Sequence, residues 1–261
     1  GKFLKENPDE LFVATKLGRR DHMFPNNFTP ENLRGSTEDS LKHLGVESLD
    51  LTQLHCLPTE VLRQGEVFDE MRKLQEAGLI RHWGVSVESM EEALICLEQD
   101  GLTSLQIIFN VFRRKPAEIL FEKAKAMNIA IIVRLPLASG LLSGKLSPDS
   151  TFSENDHRGF NADGQFFNVG ETFAGLGLDK GTELADELKQ FVPEGMSMAT
   201  MALRWILDFD GITTIIPGAS RVEQAQANAS VSKLPPLPDQ LHEKLKAFYS
   251  ERVMSHIRGP Y

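Results

Sequence analysis

Cysteine is scarce in this chain, with Cys56 and Cys96 the only two among 261 residues. Two thiols give no disulfide framework, and a reducing cytoplasm is the simplest expected location. Long apolar runs are missing as well. None approaches the roughly 18–20 residues that span a bilayer, and no signal peptide is visible. There is no basic excess: 28 lysines and arginines face 37 aspartates and glutamates, a net charge of −9. That balance argues against nucleic acid or an anionic membrane as a partner, and an anionic ligand would need a local basic pocket. The histidines at 22, 43, 55, 82, 157, 242 and 256 show no metal-ligand spacing, so no metal is expected. The fingerprint G-x-G-x-x-G follows none of the apolar runs, which weakens an open-sheet dinucleotide fold. The chain opens on Gly1 rather than Met, and the protein's start is expected to lie further upstream.

What is present is a regular beat. Apolar runs of strand length occur at "LFVATK" (11–16), "SLDLTQLH" (48–55), "IRHWGVSV" (80–87), "SLQIIFNV" (104–111), "IAIIVRLPL" (129–137) and "GITTIIPG" (211–218). Several are apolar on both faces, as strands of a parallel sheet covered by helices must be. Helical patterns lie between them. Thr29 and Pro30 make an N-cap and first turn ahead of Leu33, Thr37, Leu41 and Leu44, with Gly45 as the stop. Val67, Phe68, Met71 and Leu74 form a stripe ended by Gly78, and Ser89 with Glu92 spells a capping box before Leu94 and Leu97. Pro116 opens a stripe through Leu120, Phe121, Ala124 and Met127, and Met201, Ala202, Trp205 and Ile206 share another helical face. Alternating strands and helices predict an α/β fold with a parallel sheet. Residues 1–261 read as a single domain, interrupted by a polar, Gly-rich insertion at 147–181.

Polar side chains gather at the ends of these strands, where a barrel keeps its chemistry. Lys16 ends the first run and His55 the second, Ser86 lies near the end of the third, and Gln106 and Arg134 lie within the next two. Taken alone, His55 is either a core histidine with a satisfied hydrogen bond or a catalytic group at a barrel rim. Asp50 lies five residues before His55, on the wrong side of the strand alternation to serve Lys16 as an acid. After the last run, "IIPGASRVEQAQANA" (215–229) combines Gly218 with the S-x-x-E spacing of Ser220 and Glu223. A helix start there, with Arg221 beside it, suits a phosphate.

The segments "LFVATK", "ENLRGSTEDSLKHLGVESLDLTQLHCLP", "AGLIRHWGVS", "LQIIFNVF", "PLASGLLSGKL" and "IIPGASRVEQAQANA", in this order, closely resemble the aldo-keto reductase superfamily. They look most like its bacterial members and the potassium-channel β-subunits. The resemblance implies a (β/α)8 TIM barrel that binds NADP(H) in an extended pose and reduces aldehydes or ketones. Lys16 matches the family lysine, whose charge lowers the pKa of a catalytic tyrosine, and His55 the histidine that orients the substrate carbonyl. Ser86 and Gln106 match groups that hold the nicotinamide carboxamide, with Val87 where asparagine is common. Arg134 stands where an aromatic residue usually covers the nicotinamide ring, and a planar guanidinium can stack there too. Leu135, Pro136, Leu137, Ala138, Ser139 and Lys145 match the loop around the pyrophosphate, and Arg158 resembles a further contact from the insertion. Gly218, Ser220, Arg221, Gln224 and Asn228 match the site of the adenosine 2′-phosphate and adenine, which favours NADP(H) over NAD(H).

The family's aspartate and tyrosine precede its lysine, and no such motif precedes Lys16 here. Tyr249 and Tyr261 are the only tyrosines, both near the C-terminal end. The first two βα units, roughly 50–60 residues at the pace of such a barrel, are therefore expected to be missing from the chain. Two functions are consistent with the sequence. One is a cytoplasmic NADPH-dependent oxidoreductase acting on a small-molecule carbonyl substrate. The other is an NADP(H)-binding regulatory or inactive barrel, comparable to a channel β-subunit.

Overall fold

The helix ends fall where local chemistry puts them. In the computed structural model, which describes residues 1–7 and 11–261, Thr29 caps helix Pro30–Leu44 by accepting from Asn32 N at 3.3 Å. Gly45 ends it in the left-handed region at φ 69°, a conformation that favours glycine. Ser89 and Glu92 form the full reciprocal capping box, and Glu92 also accepts from Thr59 Oγ1 at 2.8 Å.

The chain divides into two compact units, Gly1–Gln106 with Ala126–Ala130, and Ile107–Lys125 with Ile131–Tyr261. The first holds α1 (Lys2–Glu6), β1 (Ala14–Leu17), α2 (Pro30–Leu44), β2 (Leu49–His55), α3 (Thr59–Gln64), α4 (Glu66–Glu76), β3 (Ile80–Ser86), α5 (Met90–Leu97) and most of β4 (Leu102–Ile108). Strands β1 to β4 pair in chain order and all in parallel. One sheet face carries Leu17, Leu54, Val85 and Leu105 in register, and each is at most 3% exposed. Trp83 lies on that face with its ring 5.9 Å from Phe68 of α4. Burying a side chain the size of Phe68 contributes about 1.5–3 kcal/mol, and the predicted stripe Val67, Phe68, Met71 and Leu74 is buried throughout.

The second unit holds α6 (Lys115–Ile119), most of α7 (Phe121–Ala126), β5 (Ala130–Arg134) from Ile131 on, α8 (His157–Phe160), α9 (Leu178–Leu188), α10 (Met198–Leu207), β6 (Thr214–Ile215), α11 (Val222–Ser230) and α12 (Asp239–Phe248). Strands β5 and β6 are parallel, with Ile132 opposite Thr214. Its core is aromatic: Phe109 stacks on Trp205 at 4.9 Å, and Phe121 and Phe209 meet it edge-on.

The first run, expected at 11–16, becomes β1 at 14–17, with Lys16 one residue before its end; β4, β5 and β6 also differ from the sequence reading, for visible reasons. The run at 104–111 becomes β4 at 102–108, because Asn110 Oδ1 accepts from Phe112 N at 3.0 Å and turns the chain. The run at 129–137 stops at Arg134, since Leu135 takes φ 52° and its carbonyl accepts from Asn110 Nδ2. The last run keeps only Thr214 and Ile215 in the sheet. The 147–181 insertion is ordered, with α8, two 3-10 turns at Val169–Glu171 and Phe173–Gly175, and the start of α9. Buried Asn161 organises it, accepting from Phe166 N and Phe167 N and donating to Thr172 Oγ1 at 3.0 Å.

Candidate active site

The strand register of the first unit determines which polar groups become neighbours. Lys16 lies opposite Gln53, Gln53 opposite Gly84 and Gly84 opposite Ser104; one step along, His55 lies opposite Ser86 and Ser86 opposite Gln106. All six side-chain-bearing residues therefore share one sheet face, the reverse of the leucine and valine layer. Gln106 Nε2 donates to Gln53 Oε1 at 3.1 Å, Ser86 Oγ to Gln106 Oε1 at 3.4 Å, and Cys56 Sγ to Ser86 Oγ at 3.5 Å. Gly84 is what permits the row, because a Cβ there would stand 2.1 Å from Ser104 Oγ. Lys16 is exposed and His55 half-buried, while Gln53, Ser86 and Gln106 are at most 3% exposed.

Arg19 is a part of this site that the motifs do not reveal. Its Nε donates to His55 O and its Nη2 to Cys56 O, both at 3.0 Å, and its guanidinium lies 4.1 Å above the Phe24 ring. This holds the chain where Cys56 turns at φ 50° immediately after His55. The only signal is an arginine three residues after Lys16; its hydrogen bonds go to backbone carbonyls, and its carboxylate partner, Glu88 at 3.8 Å, lies far along the chain. Asp50 is engaged away from Lys16, accepting from Val13 N and Arg81 Nη1 at 3.0 Å each.

In the second unit, β5 delivers Arg134, and the next ten residues form a tight loop. Leu135, Ala138 and Ser139 are left-handed at φ 52°, 49° and 55°, followed by Gly140 at 99°. Such a run in non-glycine residues stores strain, a feature of ligand-binding turns. Pro136 and Ala138 are buried, Leu137 is half-buried and Lys145 is exposed. Arg134 Nη1 lies 2.5 Å from Glu171 Oε1, and Ser139 Oγ donates to Glu171 O at 3.1 Å. Arg158 approaches the same loop, its Nη1 3.6 Å from where a Gly140 Cβ would be. It is held by Asp156 through three contacts of 2.5–3.1 Å and lies 4.4 Å over the Phe152 ring.

Hydrogen bonding from Arg158 lowers the Asp156 pKa to about 2, from an ordinary 3.8. A depressed carboxylate contributes stability above its unfolded pKa and loses it as the pH falls through the folded value. The contribution is small at this surface position and is expected to fade between about pH 4 and pH 2. Titrating the Asp156 carboxylate by NMR checks this: a midpoint near 4 would mean that the pair does not form in solution.

Helix α11 begins one residue later than expected. Arg221 is its N-cap, so the capping box of Ser220 and Glu223 does not form; instead Gln224 Oε1 accepts from Ser220 N at 2.8 Å and from Ser220 Oγ at 3.0 Å. Asn228 Nδ2 donates to Gly218 O at 3.4 Å, which ties the turn to the helix, and Gly218, Ser220 and Arg221 are exposed. A Cβ on Gly218 would meet nothing within 4 Å, leaving open space over the turn.

Each unit, taken by itself, carries donors of a kind that a nicotinamide cofactor uses. Buried Gln53 Nε2 and Ser104 Oγ have no hydrogen-bond partner, an arrangement that suits an amide ligand. The second unit offers Lys145, Arg158, Arg221 and a helix N-terminus to phosphates. Residues 1–250 match the Aldo/keto reductase family. Among curated proteins, the chain is 29% identical over 237 residues to "Aldo-keto reductase YhdN" of Bacillus subtilis, spanning 89% of this chain and 69% of that one. It is 26% identical to "Probable aldo-keto reductase 1" of Glycine max, across 87% of this chain and 64% of that one. It is 28% identical to "L-glyceraldehyde 3-phosphate reductase" of Escherichia coli, over 87% and 68%. The chain thus spans about two thirds of the length of these relatives. Among solved structures, the glycerol dehydrogenase AKR11B4 of Gluconobacter oxydans superposes with a TM-score of 0.75 at 28% identity, covering 100% of this chain and 78% of that one. The holo form of AKR11C1 from Bacillus halodurans shares the fold, with a TM-score of 0.74 at 22% identity over 95% and 76%. These likenesses, with parallel strands alternating with helices, fit an α/β barrel, and the chain belongs to the aldo/keto reductase family.

Proposed function

We propose that this chain carries the lysine, histidine and cofactor groups of an NADP(H)-dependent reductase of aldehydes or ketones. The observation that carries the reading is that Lys16, His55, Ser86 and Gln106 share one sheet face toward the C-terminal ends of β1 to β4. NADPH supplies a hydride when bound. His55 hydrogen-bonds the carbonyl oxygen and fixes its position, and the Lys16 ammonium favours the ionised form of a nearby proton donor. Ser86 and Gln106 hold an amide, with donor and acceptor capacity already turned toward each other. Arg134 would hold the nicotinamide ring, and Leu135, Pro136, Leu137, Ala138, Ser139, Lys145 and Arg158 would hold the pyrophosphate. Gly218, Ser220, Arg221, Gln224 and Asn228 would receive the 2′-phosphate and adenine. The relatives' names point to small polyol carbonyls, so glyceraldehyde 3-phosphate and dihydroxyacetone belong in the substrate panel beside simple aldehydes.

The test is NADPH binding followed by NADPH oxidation with that panel. Binding with turnover supports the reductase, and no binding at micromolar NADPH removes the reading. Arg221→Ala is expected to weaken NADPH about 10–100-fold, the worth of one charge-assisted phosphate contact, and to leave NADH affinity unchanged. Equal losses for both nucleotides would take Arg221 away from the 2′-phosphate.

A second reading is nucleotide binding without turnover, as a regulatory barrel. Tyr249 is compatible with it: the side chain is buried, and desolvation above all pushes its hydroxyl up to about 12, the wrong direction for a readily ionised phenol. Tight NADPH binding with no turnover of any carbonyl, and a partner protein that co-purifies, would establish this reading over the first.

A further inference from the structure

The turn Val169–Glu171 is fastened at several points. Asn168 Oδ1 accepts from Gly170 N at 2.7 Å, Thr172 is fully buried against Asn161, and Ser139 Oγ bridges Glu171 O and Phe173 N at 3.1 Å each. The carboxylate that this turn carries meets the guanidinium of Arg134 at 2.5 Å, with the two side chains 21% and 10% exposed. Glu171 is thus attached through its side chain to the last residue of β5 and through its backbone to the loop that follows. So well-built a counter-charge for one strand-end arginine calls for a reason.

We infer that Glu171 is a positioning residue that neutralises Arg134 and so lets the site hold the oxidised cofactor as well as the reduced one. The inference rests on the nucleotide reading above, in which Arg134 lies against the nicotinamide ring. The ring of NADP+ carries a positive charge that the ring of NADPH lacks. An uncompensated guanidinium beside it repels one form and not the other, and water-poor surroundings strengthen the difference. A carboxylate 2.5 Å from that guanidinium cancels most of the discrimination. Glu171 acts through Arg134 and sets the balance between the two redox forms. An aromatic residue in Arg134's place would need no such partner.

Dissociation constants for NADP+ and NADPH, measured on the wild type, Glu171→Gln, Arg134→Met and the double variant, test this. Glu171→Gln is expected to raise the ratio of the NADP+ constant to the NADPH constant about tenfold. In the double variant the ratio should return to that of Arg134→Met, because no guanidinium remains to be neutralised. Using the ratio cancels any loss of folded protein, which lowers both signals alike. An unchanged ratio in Glu171→Gln overturns the inference. A rise that persists in the double variant also overturns it, since Glu171 would then act without Arg134. If the wild type binds neither form, the nucleotide reading itself falls and takes the inference with it; binding with an unchanged ratio sinks the inference alone.

Discussion

Replacing His55 with alanine is expected to lower kcat for carbonyl reduction by about two to four orders of magnitude, with NADPH affinity changed by less than about twofold. The separation follows from placement. His55 closes β2 beside Ser86, and its backbone carbonyl is held by Arg19 Nε at 3.0 Å. The imidazole therefore leaves a fixed strand end, and none of the hydrogen bonds that link Ser86, Gln106 and Gln53 runs through it. On the proposed reading, a carbonyl substrate loses the donor that fixes its oxygen, while Ser86 and Gln106 keep their hydrogen bond. Steady-state kinetics with a cofactor titration on the same preparation checks both halves. A kcat loss below about threefold would take His55 out of the chemistry and return it to the role of a core histidine. An equal loss in NADPH affinity would instead mean that it serves the cofactor.

Features written in short stretches of sequence are legible in the sequence itself. Thr29, Pro30 and Gly45 bound α2 as expected, and Ser89 with Glu92 caps α5, because each device acts within one helical turn. The apolar faces of α4 and α10 are equally plain, down to Met201, Ala202, Trp205 and Ile206 at 0% exposure. Met127 is not: it continues the α7 stripe in sequence yet is 50% exposed. Helix α12 is hard to read in the sequence, although Leu241, Leu245 and Phe248 repeat at helical spacing and are buried. Three apolar positions between Pro238 and a polar tail make a weak periodic signal beside the longer stripes.

Within the site, strand-end position brings out Lys16 and His55, and strand periodicity then determines that they share a face with Ser86 and Gln106. Gln53 does not stand out because it lies inside a strand, and its value depends on Gln106, 53 positions away. Ser220 and Glu223 show how near a local rule can come: the helix starts one residue later, and Gln224 takes the reciprocal role. Arg19, Glu171 and Asn161 lie beyond its reach. Their partners are backbone atoms or distant side chains, and a polar insertion offers no period from which to infer which of its residues turn inward.

The insertion's attachment leads to the second large effect. Arg113→Leu is expected to destabilise the second unit by about 3–5 kcal/mol. The guanidinium is 1% exposed, donates to Ala174 O at 3.4 Å and Pro260 O at 3.2 Å, and lies 4.2 Å from the centre of the Tyr261 ring. A leucine fills much of the volume but leaves two carbonyls of separate segments without their donor. Arg258 reinforces the same junction, its Nε donating to Gly175 O at 3.0 Å and its Nη1 to Asp163 Oδ1 at 2.7 Å. Arg113→Leu should therefore open 161–175 to protease before the rest of the unit unfolds, and lower the urea midpoint. Gly170 supplies an internal control. A Cβ there would stand 2.1 Å from Arg113 Nη1, so Gly170→Ala must displace the same guanidinium. If the clamp is real, Gly170→Ala costs far more in the wild type than in the Arg113→Leu background, a coupling of about 0.5–3 kcal/mol in a double-mutant cycle. Additive losses would mean that Arg113 and Gly170 matter for unrelated reasons. The same cycle bears on Glu171, because the turn that presents its carboxylate to Arg134 begins one residue after Asn168 and includes Gly170. A guanidinium forced out from under Gly170 would shift that turn, so the stability clamp and the cofactor-side carboxylate depend on one piece of backbone.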